Sequence, residues 1–181
     1  MTFSGSSRQN SNVLGYILES LTTSSTEAAI AAARELLIEY GRFVQAQPAI
    51  ATFCYADLEV EAAELPHSYL DAGGGSLLAV AAGKPVGFVA WRNFTDPELA
   101  SAFEIKRLWV RPAGRGLGIG RALIQSLEKR ARATGKTLLL LDTAPESMPA
   151  AYHLYQEMGF RDCPSYIENP SPGIVYMRKE L

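Results

Sequence analysis

Apolar side chains recur along this chain at two different spacings, and each spacing specifies an element. Tyr16 to Leu21 fits a short strand. Just beyond it Ser24 and Glu27 form Ser-x-x-Glu, in which hydroxyl and carboxylate each satisfy an orphan N–H, so a helix is expected to open there. Ile30, Ala33, Leu37, Tyr40 and Val44 follow at three- and four-residue intervals, with Arg34, Glu35 and Glu39 elsewhere on the surface. That stripe reads as a scaffold face turned to the core. A second helix is expected over Asp57–Leu65, closed by Pro66, because proline drives the residue before it out of the helical region.

The texture then changes. Leu77–Ala82 and Pro85–Trp91 are apolar runs separated by Gly83-Lys84, the pattern of a hairpin. Phe103–Val110 continues the meander after a loop containing Asn93 and Pro97. Within it Phe103 and Ile105 share one parity, Leu108 and Val110 the other. A β-bulge near Lys106 would turn both pairs to one core, because one extra residue shifts the alternation. A glycine-rich turn, Gly114 to Gly120, leads into a helix with Ile119, Leu123, Leu127 and Ala131 on one stripe, ended by Gly135. Leu138–Leu141 is continuously apolar, as in a strand covered on both faces. Strand, turn, helix and buried strand make a right-handed βαβ unit. A last helix begins near Ser147 with Pro149 in its first turn, presents Ala151, Leu154, Tyr155 and Met158 on one face, and stops at Gly159. Ile174–Arg178 closes the chain as a strand after the turn-rich Asn169-Pro170-Ser171-Pro172-Gly173. The class is α+β with a mixed sheet.

Composition narrows the function. A chain of 181 residues suits one domain, here 13–181, behind a polar Ser-rich tail over 1–12. With 17 Lys+Arg against 19 Asp+Glu it lacks the basic footprint of a nucleic-acid or membrane-surface binder. Cys54, Cys163, His67 and His153 are its only cysteines and histidines, which leaves no disulfide framework and no zinc site, so no metal is expected. Neither a signal peptide nor about 18 uninterrupted apolar residues is present, and a cytoplasmic protein is the expectation.

Candidate chemistry concentrates in Val110-Arg111-Pro112-Ala113-Gly114-Arg115-Gly116-Leu117-Gly118-Ile119-Gly120-Arg121-Ala122. Glycines at alternate positions between a strand and a helix expose successive N–H groups, and the helix dipole adds positive charge, which makes an anion cradle. Arg115 and Arg121 add formal charge, so a phosphate-bearing ligand suits it better than a lone carboxylate. The P-loop fails by register, since no glycine here precedes Lys and then Ser or Thr. The G-x-G-x-x-G fingerprint fails too, with Ile119, Arg121 or Leu123 at its third glycine position.

What fits is R-x-x-G-x-G at Arg115, Gly118 and Gly120, and here the chain closely resembles the GNAT superfamily of N-acetyltransferases. Two further segments carry the resemblance: Glu104-Ile105-Lys106-Arg107-Leu108-Trp109-Val110, similar to the family's fourth strand, and Leu154-Tyr155-Gln156-Glu157-Met158-Gly159-Phe160, similar to its L-Y-x-x-x-G-F element. The likeness implies a GNAT-like mixed sheet of six to seven strands flanked by about four helices. It also implies acetyl-CoA as co-substrate, with the acetyl group passing to a primary amine by direct attack in a ternary complex. By the same carry-over, Leu108, Trp109 and Val110 contact pantetheine and the acetyl group through main-chain atoms. Arg115, Gly116, Leu117, Gly118, Ile119, Gly120 and Arg121 hold the pyrophosphate.

Glu104 is the implied base, directly or through water, on a strand whose apolar neighbours would desolvate it as base function requires. Two other roles stay open for it: acceptor binding without proton transfer, and an ion pair with Lys106 or Arg107. Tyr155 matches the tyrosine that protonates or hydrogen-bonds the departing thiolate, against a reading as a packed core aromatic. His153 reads as a surface histidine. Met148 departs from the family pattern, standing where many relatives carry an Asn that bonds the pantetheine arm. Trp91, Arg92, the Asp57–Tyr69 region, Tyr166 and Asn169 are candidates for the acceptor pocket. A small-molecule amine or amino acid is expected over a protein acceptor, and a homodimer is left open. A non-catalytic acyl-CoA-binding sensor or interaction module on the same fold is the alternative.

Overall fold

A computed structural model describes residues 15–47, 55–166 and 173–181. The expected tail, Cys54 and Asn169 lie outside the described residues. Seven strands are described: β1 Tyr16–Leu21, β2 Gly75–Ala81, β3 Lys84–Asn93, β4 Ala102–Val110, β5 Leu138–Thr143, β6 Arg161–Cys163 and β7 Val175–Glu180. They form one mixed sheet in the order β1-β2-β3-β4-β5-β7-β6. The described helices are α1 Glu27–Gln45, α2 Tyr55–Ala63, α3 His67–Leu70, α4 Ile119–Ala133 and α5 Pro149–Glu157. The α+β class and mixed sheet expected from the patterning are present, with one helix more than four: α2 covers most of the expected Asp57–Leu65 helix, and the short α3 beyond Pro66 is additional. Strand β6 had no sequence signal: three residues, Arg-Asp-Cys, are too short and too polar to show alternation.

The sheet buries both faces. Ile119, Leu123 and Leu127 of α4 and Tyr155 of α5 pack against Phe103, Ile105, Leu139 and Leu141. Leu36 and Leu37 of α1, Leu58 of α2 and Tyr69 of α3 pack against Leu78, Phe88 and Ala90 on the other side. Each fully buried leucine contributes about 2 kcal/mol of transfer free energy.

Local chemistry fixes the boundaries. The cap of α1 is Thr26, not Ser24: its hydroxyl accepts the Ala29 N–H at 3.2 Å. Ser25 is committed to a preceding turn, its N–H donating to the Thr22 carbonyl and its hydroxyl accepting the Thr22 N–H, which delays the helix. The β2–β3 hairpin turns on Ala82-Gly83, one residue earlier than expected, with φ of +49° and +73°. Positive φ at both central residues is the turn whose twist matches two antiparallel strands.

The expected bulge in β4 is present. Phe88 pairs with Trp109 and Ala90 with Lys106, so two steps along β3 match three along β4, and Arg107 adopts φ +59°. Phe103, Ile105, Leu108 and Val110 consequently all face the core beneath α4 and α5.

Candidate functional site

β4 and β5 pair in parallel only from Ala102, Phe103 and Glu104 to Leu138, Leu139 and Leu140. β4 then runs on to Val110 without that neighbour, and exposure follows: Ala102–Ile105 are buried, Lys106–Val110 half-buried. A cleft of about 730 Å³ occupies the split. One wall is Leu108, Trp109 and Val110; the other comes from Ser147, Met148 and Leu154 of the α5 region; Tyr40 and Phe43 of α1 close one end. The floor is the glycine turn, Gly114 to Arg121 with Leu117 excepted, its side chain being 54% exposed and off the lining.

The turn has the character of an anion site. Gly116 and Gly118 take φ of +76° and +73°, and Gly118 starts α4 without a side-chain cap. A Cβ at either would meet nothing within 4 Å, so open space lies over both. Gly120 is glycine for a different reason: a Cβ there would stand 3.1 Å from the Leu154 side chain, where α4 and α5 approach. Among the described residues, the first backbone N–H after Arg115 to find a backbone acceptor is that of Ala122, to Gly118. Six consecutive N–H groups, from Gly116 to Arg121, are thus left for a ligand at the positive end of a helix. This cradle fits a diphosphate.

The arginines divide the labour unequally. Arg115 lies over the Trp109 ring, 5.4 Å from its centroid, and its Nε donates to the Val110 carbonyl at 3.2 Å. Arg121 pairs with Glu157 at 2.5 Å. Trp109 is itself placed from α1: Phe43 lies 5.2 Å from its ring, and its indole N–H donates to Glu39 at 3.3 Å. Arg111 Nε and Nη2 reach the same carboxylate at 2.9 and 2.7 Å, and Nη2 also reaches Glu35 at 2.9 Å. Hydrogen bonding from Arg111, ahead of the opposing effect of burial, holds Glu39 below the usual glutamate range.

Glu104 lies outside the cleft lining and is 0% exposed. Arg92 Nε meets one oxygen at 2.5 Å and Lys106 Nζ the other at 3.3 Å, while Lys106 also reaches Asp142 at 3.1 Å. The ion pair that the sequence reading offered for Glu104 is present, with Arg92 as an added partner; Arg107 instead binds Glu61 of α2 at 3.1 and 2.9 Å. Burial disfavours the charge of Lys106, but Asp142 and Glu104 more than offset it and its pKa is raised.

Tyr155 is buried beside Leu154, 5.7 Å from Phe160. Burial, then Tyr40 and Asp142, push its hydroxyl above the ordinary tyrosine range. Trp91 belongs to the core, His153 is exposed, and Arg92 serves Glu104. The contributions of Tyr40, Phe43, Glu39 and Asp142 were not singled out from sequence, because on a helix stripe or a buried strand they look like scaffold.

Among the described residues no group of three metal-ligating side chains lies together, and no helix is long and apolar enough to cross a membrane. The sequence model of the Acetyltransferase (GNAT) family matches residues 28–160. An uncharacterized N-acetyltransferase of Schizosaccharomyces pombe is 37% identical over 99 residues, 55% of this chain and 58% of that protein. An IAA acetyltransferase of Azospirillum brasilense is 39% identical over 79 residues, 43% of this chain and 51% of that one. The matching part thus spans just over half the length of these relatives. Among solved structures, the Salmonella typhimurium protein yncA with acetyl-CoA superimposes with TM-score 0.68 at 20% identity, covering 92% of this chain and 94% of that one. Ribosomal-protein-alanine N-acetyltransferase of Brucella melitensis gives 0.67 at 25% identity, covering 91% and 99%.

Proposed function

The chain belongs to the GNAT acetyltransferase family, and on that premise we propose that it is an acetyl-CoA-dependent N-acetyltransferase acting on a primary amine by direct attack, both substrates bound together. The observation that carries this reading is the continuity of one cleft from the glycine cradle to the unpaired half of β4. Free N–H groups from Gly116 to Arg121 receive the pyrophosphate, with Arg115 adding charge. Leu108, Trp109 and Val110, which have lost β5 as a neighbour, offer main-chain groups to an extended arm as a strand edge would. A backbone N–H from this stretch polarises the thioester carbonyl. Acetyl-CoA supplies an activated acyl carbon and a thiolate leaving group.

Tyr155, buried next to the cleft-lining Leu154, is the proton source for that thiolate in this reading; its raised pKa keeps the hydroxyl protonated at every ordinary assay pH. Glu104, with both oxygens engaged and no exposed surface, acts as the anchor that holds Arg92 and Lys106 in place. Where the sequence leaves three roles for Glu104, this geometry supports the ion pair. The acceptor is a small molecule in this reading, in line with the relative named an IAA acetyltransferase.

Thiol release from acetyl-CoA, followed with a panel of amines, tests the proposal. Release that depends on an amine, together with a rise in melting temperature on adding acetyl-CoA, is the expected result. A melting shift without release from any amine would replace the enzyme by a non-catalytic acyl-CoA sensor.

A further inference from the structure

We propose that Asp142, not Glu104, is the carboxylate that receives the acceptor amine, held by Lys106 and flanked by the hydroxyls of Tyr166 and Tyr176; this rests on the acetyltransfer reading above. The last paired residues of β4 and β5 are Glu104 and Leu140. Two residues on, Lys106 and Asp142 are the next side chains on the same face, and their bridge at 3.1 Å spans the split where it begins. Past the bulge at Arg107, Leu108 turns to the opposite face of β4 and lines the cleft. The bridge therefore stands where β4 and β5 part, across the strand from the cleft, and an amine held there would approach through the split the carbonyl of a thioester lying along β4.

The two carboxylates differ in what they have left to give. Glu104 has no exposed surface, and cations occupy both of its oxygens. The Asp142 side chain is 16% exposed, and among the described residues Lys106 on Oδ1 is its only hydrogen-bond donor, so Oδ2 is left over.

A second, independent observation points to a ligand here. Tyr176 of β7 is the cross-strand partner of Asp142 and is 8% exposed, yet its buried hydroxyl has no hydrogen-bond partner among the described residues. Tyr166, whose ring centroid lies 5.1 Å from that of Tyr176, has a buried hydroxyl in the same condition. Burial, then Glu104 and Asp142, push the Tyr166 hydroxyl above its usual range, which places it within the field of both carboxylates. Buried hydroxyls nearly always find partners. Two orphans beside a spare carboxylate oxygen make a donor and acceptor set for a small ammonium and a polar group next to it. Apolar packing from α1 begins two residues beyond this pair, where Val44 and Phe43 meet Ala144 and Ile174.

The step balances without a co-reactant. Asp142 takes one proton from R–NH3+, and the freed lone pair forms the C–N bond to the thioester carbon as the C–S bond breaks. The nitrogen's second surplus proton reaches the thiolate by way of Tyr155, giving amide and free thiol. Asp142 then returns its proton to water.

The test compares wild type, Asp142→Asn and the double variant Tyr166→Phe with Tyr176→Phe, using acetyl-CoA and the best amine of the panel. Asp142→Asn is expected to lower kcat/KM for the amine roughly 100-fold at pH 7, the usual scale of a lost general base, while the acetyl-CoA melting shift persists. Its deficit should narrow as pH rises toward the amine's own pKa, because the amine then arrives deprotonated. Among the described residues, the charged and titratable groups around Asp142 are Lys106 and Glu104 of β4, with Arg92 of β3 behind Glu104, Tyr155 of α5, Tyr166, Tyr176 of β7 and Cys163 of β6. The tyrosine double variant keeps every charge and should raise KM for the amine several-fold with kcat held.

An Asp142→Asn enzyme within twofold of wild type, or one whose deficit is constant with pH, overturns the assignment while leaving the enzyme reading intact. Wild type that releases no thiol with any amine removes the enzyme reading, and the assignment with it. Should Asp142→Asn fail to fold, an unchanged amine KM in the double variant overturns the proposal.

Discussion

Gly118 opens α4 from the left-handed region with open space where a side chain would be. Its replacement therefore separates two effects that usually come together. Gly118→Glu meets no clash, so its folding cost is the backbone strain of about 1 kcal/mol, or roughly 2–4 °C in a chain of this size. The new carboxylate, however, occupies the cradle and repels phosphate. The expected outcome in a thermal-shift measurement is a slightly lower melting temperature and no response to acetyl-CoA. A variant that still responded would move the diphosphate elsewhere. Gly118 was legible in the sequence because its glycine stands in a spaced motif. Asp142 was not, since a lone acid in Leu-Leu-Leu-Leu-Asp-Thr acquires its meaning from Lys106 and Tyr176, 36 and 34 residues away.

At the scale of elements, α1 is tied to the end of β4 by one acid: Glu39 receives Arg111 and the Trp109 indole, and so sets the wall of the cleft. Its lowered pKa gives the latch a pH dependence with a definite sign. A carboxylate depressed on folding adds stability above its unfolded value, near 4.5, and loses it as pH falls through the lower folded value. Melting curves from pH 7 to 3 should show wild type losing stability faster than Glu39→Gln below about pH 4.5. At pH 7 the variant should be less stable by about 1–2 kcal/mol, the scale of hydrogen bonds to a charged group. Parallel curves would mean that folding leaves the Glu39 carboxylate's pKa unchanged, and so that Arg111 does not hold it as a charged latch. The helix was plain from its stripe, but its partner strand was not: Glu39 and Arg111 are 72 residues apart, and only folding brings them together. The bulge in β4, by contrast, was readable, because the break in alternation between Ile105 and Leu108 has few other remedies.

Across the whole molecule, two apolar layers share one sheet, and neither can be lost without exposing the strands that the other needs. One cooperative unfolding transition by calorimetry is expected for the described domain. Leu127→Ala, at 0% exposure under α4, should lower stability by about 3 kcal/mol and shift that transition without splitting it. Two resolved transitions would show that the layers melt separately. Periodicity, glycine spacing and the R-x-x-G-x-G, strand and L-Y-x-x-x-G-F segments determined the class, the order of the longer elements and the cradle, because each depends on neighbours within a few residues. Where β4 parts from β5, which carboxylate keeps an open oxygen, and which aromatic rings close the cleft were decided by the tertiary structure alone. Those properties belong to distances between residues far apart in the chain, and no local pattern encodes them.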